Sequence, residues 1–89
     1  MKRDRMDIIH DILTSIRGEN GCAKPTHILY KSNLSHQMLE GYLSMMMRSG
    51  LIQKEENNNH KTYELTRKGY NFLTEFDNFK RIEKSYGVI

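Results

Sequence analysis

The sequence predicts an α+β fold, mostly helical with one small β-hairpin, and three features predict it. Ser35 opens a helix that Gly50 closes. Two short strands joined by a run of asparagines follow, and a second capped helix begins at Leu65-Thr66-Arg67-Lys68-Gly69. Caps, glycine stops and switches of apolar period are the local signals that fix such an order.

Each element has its own justification. Asp4 or Asp7 can open the first helix and Gly18 or Gly21 can close it. Between them Ile8, Ile9, Ile12, Leu13 and Ile16 form a broad apolar stripe, with Asp7, Asp11, Thr14 and Arg17 elsewhere, so this helix is core. Glu19-Asn20-Gly21 is a turn, and Ala23-Lys24 is briefly extended because the residue before Pro25 avoids the α region. Pro25 suits the first turn of a short second helix, about Thr26 to Ser32, that buries Ile28 and Leu29. Asn33-Leu34 turns the chain, with Leu34 as an apolar plug. Ser35 then caps a third helix whose buried face is Leu39, Leu43 and Met46, flanked by Tyr42 and Met47. The opposite arc carries Gln37, Gly41, Ser44 and Arg48, with His36 and Glu40 at one edge. Residues 51–56 and 61–65 read as strands, the second with Tyr63 and Leu65 inward and Thr62 and Glu64 outward, and Asn57-Asn58-Asn59-His60 forms the tip. Thr66 caps the last helix, which runs to about Tyr86. Along it Phe72, Phe76, Phe79, Glu83 and Tyr86 make a heptad-like seam interrupted once by a charge. Three helices, a hairpin and a long final helix amount to a winged helix-turn-helix with an extended C-terminal helix. It fills residues 1–89 as one domain, and helix 67–86 is the segment expected to dimerise.

Size and charge narrow the function. A chain of 89 residues supports one core of marginal stability, and 37% apolar residues with six Met and no Trp make that core adaptable. Aromatics gathered in the second half point to a core completed by a second copy. A net charge of +3 with a pI near 9.1 is compatible with a polyanionic partner without requiring one. Cys22 is alone, which rules out an intrachain disulfide and a cysteine zinc site and fits a reducing cytoplasm. No apolar run reaches membrane-spanning length, and Met1-Lys2-Arg3-Asp4-Arg5 has no hydrophobic signal core after it, so a soluble, cytoplasmic protein with no membrane partner is expected. His10, His27, His36 and His60 lack metal spacing, and there is no Gly-rich phosphate loop or nucleophile–base arrangement. Neither enzyme activity nor a cofactor nor a metal is expected.

Three pieces in order carry a family resemblance: Ile28-Leu29-Tyr30-Lys31-Ser32-Asn33-Leu34-Ser35, Tyr42-Leu43 leading to Ser49-Gly50-Leu51-Ile52, and Tyr63-Glu64-Leu65-Thr66-Arg67-Lys68-Gly69. Over about residues 6–80 the chain resembles the small archaeal winged-helix DNA-binding proteins of the Sulfolobus chromatin type and their regulator relatives. That resemblance implies dimers built on paired C-terminal helices, and duplex DNA bound by the third helix and the wing. Here the final helix is short, and the third helix carries Arg48 as its one cation and also holds Glu40.

The residues suit such a partner. With helix 35–49 in a major groove, Gln37 can pair with adenine and Arg48 can reach a phosphate or a guanine. Ser35 and Ser44 can hydrogen-bond phosphate, His36 borders the same face, and Gly41 lets the backbone come near. In the wing 57–61, Asn58, Asn59, His60 and Lys61 can meet the adjacent backbone or minor groove, with Lys31 and Lys61 steadying the backbone. Lys2, Arg3 and Arg5 read as an ordinary charged terminus. Phe72 and Phe76 can pack on the first helix, whereas Phe79 and Tyr86 lie beyond a compact core, so these four mark a homodimer interface. Two function classes follow: a nucleoid-associated transcriptional regulator or chromatin protein that binds double-stranded DNA, and a winged-helix module that docks on protein without DNA.

Overall fold

A computed structural model describes residues 2–87; the expected domain ends at Met1 and Ile89 lie outside them. The order is α1 (Arg5–Arg17), β1 (Cys22–Ala23), α2 (Pro25–Ser32), α3 (His36–Arg48), β2 (Ile52–Asn57), β3 (His60–Leu65) and α4 (Arg67–Ser85). The strands form one antiparallel sheet in the order β1-β3-β2.

Asp4, not Asp7, caps α1. Its carboxylate accepts the Asp7 N–H (2.9 Å) while Asp7 accepts the Asp4 N–H (3.2 Å), a reciprocal capping box. The Asp7 amide holds the Asp4 carboxyl below the usual carboxylate range. All five apolar stripe residues of α1 are buried, and they meet Ile28, Leu39, Leu43, Met46, Ile52, Tyr63 and Leu73 in one core. Pro25 takes the first position of α2, one residue earlier than expected, and Asn33 closes that helix with φ 54°. Leu34 packs partly buried against the core.

Helix α3 ends in a Schellman motif: Gly50 N–H donates to Met47 O (3.1 Å) and Leu51 N–H to Met46 O (3.0 Å), with Gly50 at φ 79°. The hairpin is longer than the sequence implied. Asn57 pairs with His60, so both join the strands and the tip shrinks from four residues to Asn58 and Asn59. Both have positive φ, 48° and 68°, as a type I′ turn requires.

The start of α4 grips the α3–β2 connection. Thr66 accepts the Gly69 N–H (3.1 Å) and donates its hydroxyl to Gly50 O (2.5 Å), with Leu51 O at 3.0 Å, while Lys68 Nζ donates to Ser49 O (2.6 Å). Farther along, Leu73 is buried and Phe72 is partly buried against the core. Phe76 stacks on His10 at 4.3 Å between ring centroids, and His10 also meets Asp77 at 3.1 Å. Past Phe76 the helix leaves the core, and it gives the molecule its 49 × 26 × 22 Å outline.

Candidate nucleic-acid interface

The outward face of α3 is built from its N-cap. Ser35 accepts the Met38 N–H at 3.1 Å, which fixes the first turn and leaves the hydroxyl proton free to donate. Burying Leu39, Leu43 and Met46 then turns Gln37, Gly41 and Arg48 to solvent, with Ser44 half-buried beside them. His36 and Glu40 are exposed at the edge, 3.9 Å apart, an ion pair only when His36 is protonated. Arg48 has no ion-pair or hydrogen-bond partner among the described residues.

Gly41 is the telling position. A Cβ added there would meet nothing within 4 Å, so neither packing nor backbone geometry demands glycine. A mid-helix glycine costs about 1 kcal/mol relative to alanine. The residue lowers stability with no return inside the domain.

In the wing, Asn58, Asn59, His60 and Lys61 are all exposed. Lys61 faces Glu56 across the ladder, but Glu56 meets Lys54 instead (3.5 Å). Lys31 is placed differently from the α3 residues. It lines a groove between α1 and α2 with Asp11, Thr14, Ser15, Gly18, Glu19 and His27.

Near the end expected to be an ordinary charged terminus, Arg3 and Arg5 are placed differently. Arg3 donates to Asp11 (2.9 Å) and to the Ser32 carbonyl (2.7 Å), pinning the start of α1 to the end of α2. Arg5 lines a shallow cleft with Gln37, Met38, Gly41 and Tyr42.

The dimer residues also divide. Phe72 and Phe76 are partly covered by their own chain, while Phe79 and Tyr86 are 57% and 78% exposed. Ile82, absent from the heptad reading, is 52% exposed, and Met6 adjoins Phe72, Phe76 and Phe79. The Glu83 position of the expected seam is taken up by an ion pair with Lys80 (3.5 Å). Among the described residues no group of three His, Cys, Asp or Glu is placed to hold a metal, and no helix is long and apolar enough to cross a membrane.

Residues 2–84 match a family model described as winged helix-turn-helix. No curated protein sequence matches the chain. Among solved structures it is similar to Sso10a-2, a DNA-binding protein from Sulfolobus solfataricus, with TM-score 0.82 and 24% identity over 97% of this chain and 87% of that one. F93 from STIV, a winged-helix DNA-binding protein, has TM-score 0.72 and 20% identity over 90% and 92% of the two chains. TubR from Bacillus thuringiensis serovar israelensis, solved on 24 bp of tubC, has TM-score 0.71 and 20% identity over 81% of each.

Proposed function

The chain belongs to the winged helix-turn-helix family, and from that membership we propose that it binds double-stranded DNA as a transcriptional regulator or small chromatin protein. Helix α3 enters a major groove, and the wing 57–61 lies on the adjacent backbone or minor groove. The observation that carries this reading is the α3 face itself, a small polar arc with an unforced glycine at its centre and an unpartnered arginine at its end. DNA-binding proteins share the fold, which supports the same reading. A protein-docking surface is the weaker alternative. Such surfaces rest on a cluster of aromatic or aliphatic anchors, whereas the arc of Gln37, Gly41, Ser44 and Arg48 is polar, with the half-exposed Met38 beside it.

Roles follow from chemistry. Arg48 and Lys61 hold phosphates, Ser35 and Ser44 donate hydroxyl hydrogen bonds, and Gln37 reads a base edge. Removing a phosphate contact weakens binding to every sequence, whereas removing a base contact relaxes preference. Arg48→Ala is therefore expected to lower affinity and to reduce the salt slope by about one ion. Gln37→Ala should cost about 1–3 kcal/mol on a preferred site and little on a random duplex. Fluorescence anisotropy on both kinds of duplex checks the pair; equal losses for both variants on all sequences would contradict these roles.

The solitary end of α4 supports homodimerisation. Phe79, Ile82 and Tyr86 follow one another at i, i+3 and i+7, on a helix end with no core of its own to cover them. A dimer presents two α3 helices and doubles the charge offered to the duplex, and it works where the DNA is, on the nucleoid. Sedimentation at micromolar concentration should show a dimer that Phe79→Asp dissociates, because a lone carboxylate would be buried at the interface. A monomeric wild type, or a dimer indifferent to that substitution, contradicts the pairing.

A further inference from the structure

Six of the fourteen lysines and arginines are engaged by groups of their own chain. Arg3 and Arg17 meet Asp11 and Asp77, Lys54 and Lys80 meet Glu56 and Glu83, Lys68 caps α3, and Arg81 holds Asn78. Arg5 is exposed and has no ion-pair or hydrogen-bond partner among the described residues. It does not lie there by looseness. Its helix turn is held by the capping box of Asp4 and Asp7, and the residue two before it is tied to Ser32 O and Asp11. The two nearest carboxylates in sequence are turned to backbone N–H groups (2.9 and 3.2 Å). Arg5 thus stands on a fixed backbone, without a carboxylate partner, on the wall of a cleft of about 300 Å³ that it shares with Gln37, Met38, Gly41 and Tyr42.

That cleft borders the N-terminal half of α3, which has no arginine or lysine of its own; His36 is next to Glu40. Arg48 sits at the far end of the helix, about 16 Å along the axis from Gln37 at 1.5 Å per residue. A major groove is roughly 12 Å wide. A helix lying in it with its one cation at the C-terminal end has no charge of its own to hold a phosphate at the other end. We infer that Arg5 is the second anchor, binding a phosphate of the strand beside the N-terminal half of α3 while Arg48 holds the strand opposite. The inference rests on the DNA-binding reading and adds to it a residue outside both α3 and the wing. Arginine suits the task because its planar fork meets two phosphate oxygens at once.

The test is a salt titration of duplex binding by the full chain, comparing wild type, Arg5→Gln and Arg5→Lys, with thermal melting as the folding control. Arg5→Gln is expected to melt as wild type does and to bind on the order of tenfold more weakly at ~50 mM salt, with the slope of log K against log salt reduced by about 0.9. Arg5→Lys keeps the charge and should keep the slope. Wild-type affinity and slope in Arg5→Gln would overturn the anchor while leaving DNA binding intact, and so would a slope lost equally in the lysine variant. A wild type that binds no duplex at any salt overturns the anchor together with the functional reading.

Discussion

Replacing Gly69 by alanine should destabilise the domain by about 2 kcal/mol and lower its melting temperature by roughly 10 °C. Helix propensity alone gives the opposite sign, since alanine is favoured over glycine by at most about 1 kcal/mol. Sterics decide the outcome. A Cβ at Gly69 would lie 2.3 Å from the Leu51 carbonyl oxygen and 3.3 Å from Leu65 Cδ2. The leucine side chain can yield, but the carbonyl is backbone and is held by the Thr66 N–H (3.2 Å). Overpacking against fixed backbone falls at the upper end of the usual 1–3 kcal/mol cost, about 3, which leaves a net loss of ~2. The contact matters for function because Leu51 joins α3 to the wing. Glycine lets α4 seat on that junction and set one against the other. Denaturant unfolding checks the figure, and a variant as stable as wild type would show that the junction does not need this approach.

Gly41→Ala should do the reverse in stability and harm binding. Nothing lies within 4 Å of the added Cβ, so the helix gains about 1 kcal/mol from propensity with no clash to offset it. On the duplex the methyl group stands where the α3 backbone meets the groove. Holding the helix off by even one methyl lengthens several contacts together, and a loss on the order of tenfold, about 1.4 kcal/mol, is expected. The opposite signs make the result informative. A variant that is more stable and binds less well has lost a surface rather than a fold. A more stable variant that binds as wild type does would place the DNA elsewhere.

The two glycines show what the sequence could and could not convey. Both stand in helices, and local pattern cannot tell one from the other. Gly69 is set by a carbonyl eighteen positions earlier, a tertiary fact, whereas Gly41 is set by nothing in the chain. Caps and periods were legible because they are local: Ser35 and Thr66 each accept the N–H expected of them, and the stripe of α1 is buried throughout. The hairpin was legible in kind but not in extent, because the pairing of Asn57 with His60 depends on which asparagines take positive φ. The aromatics of the α4 seam were legible from their spacing, with Glu83 as the charge that interrupts it. Ile82, which stands on the other side of the Phe79–Tyr86 line and is exposed with them, was not part of that spacing. Arg3 and Arg5 were inseparable as letters. Only the packing of α1 on the end of α2 pins the first and leaves the second free beside Gln37.

Binding of the wild-type chain to labelled duplexes, followed by fluorescence anisotropy over a range of salt, tests the central claim most directly. Each phosphate held contributes about −0.9 to the slope of log K against log salt. A protomer using Arg5, Arg48 and Lys61 should therefore give a slope near −3, with roughly twice that for a dimer engaging both halves of a site. Absence of binding at low salt, or an affinity indifferent to salt, would contradict the account and favour a winged helix that docks on protein.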